Sequence, residues 1–200
     1  MAREEVVSNV NEQLILVDDQ DRELGFKSKG DCHAGAGVLH RAFSIFVLNS
    51  DNELLLQKRS GTKLLWPNYW SNTCCSHPRR GESMGEAVVR RLKQELGFEC
   101  PLAYLYKFKY RAEFGAIGAE HEFCWVYYGR YDGPVDVNVN EIAAWRLVGV
   151  GALGAKLTGG GGGGSIIAIC DGDTEPVVAA IRAAGFQAMP VRLGAELNGA

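Results

Sequence analysis

Residues 66–97, WPNYWSNTCCSHPRRGESMGEAVVRRLKQELG, decide how the rest of the chain is read. They hold Cys75 two residues before His77, then a turn, then a helix. Ser83 and Glu86 form an S-x-x-E capping box, in which each partner satisfies a backbone donor of the other. Val88, Leu92 and Leu96 repeat at helical spacing and make one apolar stripe. Gly97 stands where a left-handed residue closes a helix without strain. Glu95 shares the face of Val88 and Leu92 and so looks inward. A carboxylate there needs a cation or donors, because burying it alone is costly.

The totals bound the possibilities. A chain of 200 residues has room for one good core, or one domain with an appendage. A 46% hydrophobic share and a net charge of −3 describe an ordinary soluble protein. No basic excess points to a nucleic-acid partner. No run of about 18 apolar residues is present, so neither a transmembrane helix nor a membrane partner is expected. The opening MAREEVVSNVNEQ lacks the apolar centre of a secretory signal. The six cysteines show no zinc-type or small-domain disulfide spacing. Reduced thiols and a cytoplasmic location are the expectation.

Taken in order, EQLILVD (12–18) reads as a strand, followed by a charged turn, and FKSKGD as a loop leading to Cys32-His33. HRAFSIFVL (40–48) and ELLLQKR (53–59) read as a hairpin around Asn49–Asn52. AYLYKFKYRAEF and AEHEFCWVYYGRY suggest a second antiparallel pair, and NEIAAWRLV one more strand. At about Val148 the composition changes. Residues 149–200 hold 13 of the 25 glycines and a single aromatic, Phe186. This tail reads as a glycine loop (159–164), a strand SIIAIC, a helix TEPVVAAIRAAG and a strand QAMPVRL, a βαβ-like unit too small to bury much alone. The expected domains are therefore 1–148 and 149–200.

His33, His40, His77, Glu120 and Glu122 are the candidate metal ligands of the first domain. Glu120 and Glu122 alternate to one face of a strand, with His121 on the other. Imidazoles with carboxylates suit a divalent ion of the Mg, Mn or Zn group. The helix of 84–96 also resembles a degenerate Nudix box. With its last glycine on Gly97, Glu82, Arg90, Leu92, Glu95 and Phe98 match, whereas Ser76 replaces the first glycine, and Arg91 and Gln94 replace two metal-gathering carboxylates. The resemblance implies an α+β, Nudix-type α/β/α sandwich with a mixed sheet, carrying a glycine-rich appendage.

The ordered series K-x3-H-x6-H, R-x3-K, WPNYWSNTCCSHP, GES…RRLKQELG and YR…EHE resembles type I isopentenyl-diphosphate isomerases over roughly residues 8–148. That resemblance implies interconversion of isopentenyl and dimethylallyl diphosphate, with a small isoprenoid diphosphate as the partner. It implies one metal on His33, His40, His77, Glu120 and Glu122, and an Mg²⁺ that arrives with the diphosphate and is held by Glu95. Lys29, Arg59, Lys63 and Arg91 would bind the diphosphate, and charge-assisted hydrogen bonds give such cations their grip. Glu122, assisted by Tyr110, would protonate the alkene. Cys75, as the thiolate that nearby positive charge favours, would remove the second proton. Trp70 stands either as core or as a π-face for the cationic intermediate.

Beyond Val148 the chain departs from that family. K-L-T-G-G-G-G-G-G-S resembles the late glycine-rich motif of mevalonate kinase, a GHMP-type kinase. The nucleotide loop and catalytic residues of such a kinase have no match, so kinase activity is not expected. Two readings stand beside the isomerase. One is a Nudix hydrolase of nucleoside diphosphate derivatives; the other is an inactive module that binds metal and diphosphate.

Overall fold

The computed structural model describes residues 3–149, 154–158, 165–169, 175 and 179. Its organising strand is β3 (His40–Leu48), which follows β1 (Gln13–Val17), β2 (Glu23–Ser28) and the short helix α1 (Lys29–His33). Eight of the nine β3 residues, all but Arg41, are buried, as a strand covered on both faces requires. After it come β4 (Glu53–Arg59), β5 (Trp70–Ser71), β6 (Cys74–Ser76), the helix α2 (Met84–Leu96), β7 (Leu102–Phe114), β8 (Gly118–Arg130) and β9 (Ile142–Gly149).

These strands form one mixed nine-stranded sheet. β8 runs parallel to β3 from His40↔Glu122 to Leu48↔Arg130, and antiparallel to β7. The other edge of β3 is shared. β1 meets it at His40, β6 at residues 43–45, and β4 only at Leu48↔Leu54. From there β4 diverges to pair with β9 and β5. The Asn49–Glu53 turn is closed by the Asn49 side chain, which accepts from Glu53 N at 2.8 Å, while Asn52 adopts φ 58°.

α2 forms as its sequence dictates. Ser83 caps it, with the reciprocal bond from Glu86 present, and Gly97 closes it at φ 80°. A Cβ at Gly97 would lie 2.8 Å from Asp136 O, so glycine is required there for space as well as conformation. Val88, Leu92 and Leu96 pack against Phe43, Ile45 and Ile142 in the main core. Each such side chain contributes roughly 1.5–3 kcal/mol by burial.

Two stretches differ from the sequence reading. FKSKGD is not a loop, because Phe26–Ser28 belong to β2 and Lys29 opens α1, with Asp31 N donating to the capping Ser28 Oγ at 3.2 Å. The segment before α2 is not wholly irregular, since β5 and β6 stitch it to β4 and β3. In the tail, β10 (Gly154–Thr158) and β11 (Ser165–Ile169) pair antiparallel in a separate two-stranded sheet. The glycine loop 159–164 lies outside the described residues. So do most of the helix expected in TEPVVAAIRAAG and the whole of QAMPVRL.

Candidate active site

Strand register assembles the centre. The β7–β8 pair sets Tyr110 opposite Glu122, and the β8–β3 pair sets Glu122 opposite His40. Tyr110, Glu122 and His40 therefore stand in a row across three strands. His33, at the end of α1, and His77, just after β6, complete the group. The three imidazole centroids lie 4.8–5.2 Å apart. One ligand atom from each of His33, His40, His77 and Glu122 falls within 4.8 Å of the others.

These residues fit a divalent metal ion. His33 Nδ1 donates to Ala119 O at 3.1 Å and His40 Nδ1 to Val38 O at 2.7 Å, a pattern that leaves each Nε2 with its lone pair inward. His40 Nε2 is buried without a hydrogen-bond partner. Burial pushes His33 below its ordinary value, His40 down to about 4 and His77 well below its usual range, so all three offer neutral imidazole. Burial alone would raise Glu122. The hydrogen bond with His77 Nε2, at 3.1 Å, and the three neighbouring imidazoles together outweigh it and hold the carboxylate below its usual range.

Glu120 is not in the four-residue group. It is joined to the group through Tyr110, whose hydroxyl lies 2.8 Å from Glu120 Oε2 and 2.6 Å from Glu122 Oε2, with one hydrogen to share between them. Burial, then the two carboxylates, push this phenol well above its ordinary value, so it stays a proton donor.

A cavity of about 600 Å³ opens over this centre, and Cys75, Tyr110, Glu120, Glu122 and His77 line it. Cys75 comes from β6, on the opposite edge of β3 from Glu122. Asn72 spends both amide hydrogens on Ile45 O (2.9 Å) and Cys74 O (3.1 Å), which turns its Oδ1 to accept from Cys75 Sγ at 2.8 Å. Ser44 Oγ lies 3.3 Å from the same sulfur. Cys74 points the other way and is fully buried core. Sequence reasoning missed Asn72 and Ser44. Ser44 carried a signal, as a lone hydroxyl inside the apolar run of β3; Asn72 carried none.

Lys29, Lys63, Arg59 and Arg91 also line the cavity. Lys29 is pushed down to about 8 by burial, then by Lys63 and Arg91. Arg59 donates from Nε to Trp66 O (3.1 Å) and from Nη2 to Leu65 O (2.9 Å), which pins that loop. Arg91 is 2% exposed and donates to Glu95, Glu141, Val7 O and Ser8. The inward Glu95 thus finds its cation one turn away on α2, and it is not among the residues that line the cavity. Glu141, which does line it, escaped the sequence reading, since its partners Lys63 and Arg91 lie 78 and 50 residues away. Trp70 is 41% exposed rather than core, and the Arg146 guanidinium stacks 4.3 Å from its ring. Within the Nudix-like helix, Glu82 and Arg90 pair at 2.5 Å, and Arg90 also reaches His77 O.

Comparison with known proteins agrees with this geometry. The Nudix domain family matches residues 38–170, a span that passes beyond Val148. The isopentenyl-diphosphate Delta-isomerase of Burkholderia multivorans is 47% identical over 144 residues, covering 72% of this chain and 81% of that protein. Isopentenyl-diphosphate Delta-isomerase 1 of Photorhabdus laumondii is 44% identical over 142 residues, or 70% of this chain and 80% of its own. A crystal structure from Deinococcus radiodurans superposes with a TM-score of 0.58 at 26% identity, covering 70% of this chain and 84% of that one. The chain belongs to the Nudix domain family and, within it, to the isopentenyl-diphosphate Delta-isomerases.

Proposed function

We infer that this enzyme moves the double bond of isopentenyl diphosphate to give dimethylallyl diphosphate by adding one proton and removing another. One observation carries the assignment of roles: the Cys75 thiol and the Glu122 carboxylate, on the two strands flanking β3, line with Tyr110 of β7 the same cavity as a cluster of cations. The cations hold the diphosphate and orient the five-carbon chain. The proton shared between Tyr110 and Glu122 passes to the terminal alkene carbon, generating tertiary cationic character at the adjacent carbon. Cys75, as thiolate, takes a proton from the neighbouring methylene, and the new double bond forms. The substrate's hydrogen count is unchanged. The enzyme ends with Cys75 protonated and its acid one proton short, and exchange with solvent resets both.

His33, His40, His77 and Glu122 would hold a resident Mg²⁺, Mn²⁺ or Zn²⁺, with Glu120 next to them through Tyr110. Such an ion would supply positive charge that fixes the acid's geometry. A second Mg²⁺ would accompany the diphosphate toward Glu95, which requires Arg91 to loosen its hold on that carboxylate. Arg146 covers one face of Trp70. Stabilisation of the cation by Trp70 therefore depends on the face turned to the cavity.

We place residues 149–200 in a separate, GHMP kinase-like fragment without phosphoryl-transfer chemistry. The composition change at Val148 and the self-contained pairing of β10 with β11 support this division. Turnover of isopentenyl diphosphate with Mg²⁺ tests both readings, measured on the full chain and on one ending at Val148. Product from both is the expected outcome. No product from the full chain would overturn the function, and product from the full chain alone would overturn the division.

A further inference from the structure

The cation cluster contains a carboxylate that a diphosphate should repel. Glu141 has a side chain 3% exposed, and its Oε2 is shared by Lys63 Nζ and by Arg91 Nη2, the latter at 3.1 Å. Those two cations come from elements with no backbone pairing between them, the β4–β5 loop and α2. Glu141 itself is held rigidly. Its N donates to Asn138 O at 3.0 Å, its O accepts from Ser60 N at 2.9 Å, and Asn138 N is tied to Glu95 O at 2.8 Å.

Four cations line the cavity, and like charges close together repel unless something of opposite sign lies between them. The Lys29 ammonium is lowered by burial first and then by Lys63 and Arg91, while Glu12 and Glu141 act against the shift. A neutral acceptor would do less to hold two cations together. A carboxylate does more, but its charge opposes every anion that enters. Such an arrangement favours placement over affinity, the trade an enzyme makes when binding energy is directed to the transition state.

We propose that Glu141 is a positioning residue: it fixes Lys63 and Arg91 at the spacing that seats the diphosphate, and it does so at a loss of anion affinity. This rests on the isomerase reading given above. The test is Glu141→Gln in the full chain, with two measurements: calorimetric binding of inorganic pyrophosphate in Mg²⁺, and turnover of isopentenyl diphosphate. Pyrophosphate should bind at least threefold more tightly while kcat falls at least tenfold and KM does not rise. A merely structural carboxylate would weaken both and lower the melting temperature, and that result overturns the proposal. Unchanged binding with unchanged kcat overturns it as well.

If the Gln variant does not fold, Glu141→Asp keeps the charge and shortens its reach. Its kcat should fall while pyrophosphate affinity stays within twofold; tighter pyrophosphate binding would overturn the proposal. The pyrophosphate measurement needs no turnover. An inactive parent chain would therefore sink the isomerase reading alone, whereas an active parent with an inert Glu141 sinks only this inference.

Discussion

In the metal-ligand cluster His33, His40 and His77 are driven toward their neutral forms, while in the cation cluster Arg91, 2% exposed, keeps its charge. Burial is similar in both clusters, so burial does not decide. Partners do. The histidines face one another and a single carboxylate, and neutral imidazole is the cheaper state. Arg91 lies between Glu95 and Glu141, whose carboxylates outweigh the desolvation that opposes its charge. The neutral cluster suits the proton transfer proposed above, and the cation cluster suits the proposed holding of a fixed anion.

The division is broken most severely at the proton-transfer residues. Cys75→Ala and Glu122→Gln should each lower kcat by at least about 10³-fold, because each removes one of the two proton-transfer partners. Pyrophosphate binding, which uses the cation cluster, should change by less than about threefold. Melting temperature should hold in the Cys75 variant, since that side chain lies at the cavity wall rather than in the core. Loss of pyrophosphate binding in either variant would show that the two clusters are not separable.

How much of this was legible in the sequence follows the same line. The capping box of α2, its Gly97 stop and the inward Glu95 were all readable, because each depends on residues within one or two turns. The histidines and Glu122 were readable as candidates, although their convergence depends on β3–β8 register that no local pattern reveals. The cations were readable as types but not in their commitments. Arg59 spends itself on the carbonyls of Leu65 and Trp66, and Arg91 on two carboxylates and on Val7 O and Ser8. Glu120 was grouped with the metal ligands on strand alternation and on the resemblance of its EHE motif; alternation fixes a face but not a distance. Glu141 could not be found at all, since its meaning depends on two long-range partners.

A smaller effect sharpens the contrast through acid stability. His40 is fully buried, with its pKa near 4 in the fold against about 6.5 in an unfolded chain. The unfolded state then binds the proton first, so stability falls as pH drops from about 6.5 to 4 and levels off below. The full span is about 3 kcal/mol. Urea unfolding at pH 7 and pH 4.5 measures it. His40→Gln, which does not titrate but can still donate to Val38 O, should show a shallower loss than the parent chain. An equal loss would assign the acid sensitivity elsewhere.

The mildest break comes in the cation cluster, where Lys29 is the cation least firmly charged. Its ammonium, ordinarily near 10.5, is brought to about 8 by burial, then by Lys63 and Arg91. For this lysine the sign runs opposite to a stabilising pair. Below pH 8 the fold carries a charge that it disfavours, and the penalty is relieved as pH rises from 8 toward 10.5. A bound anion needs that charge, so pyrophosphate affinity should fall as pH rises through about 8, by up to about tenfold for one charge-assisted contact. Binding near pH 8 should also take up protons, visible as a calorimetric enthalpy that changes with the ionisation enthalpy of the buffer. Lys29→Met supplies the baseline for pyrophosphate's own ionisation and should lose the protein's share of the uptake. If the Met variant shows the same pH profile and the same proton uptake as the parent chain, Lys29 does not touch the anion, and the charge that grips the diphosphate lies with Lys63 and Arg91.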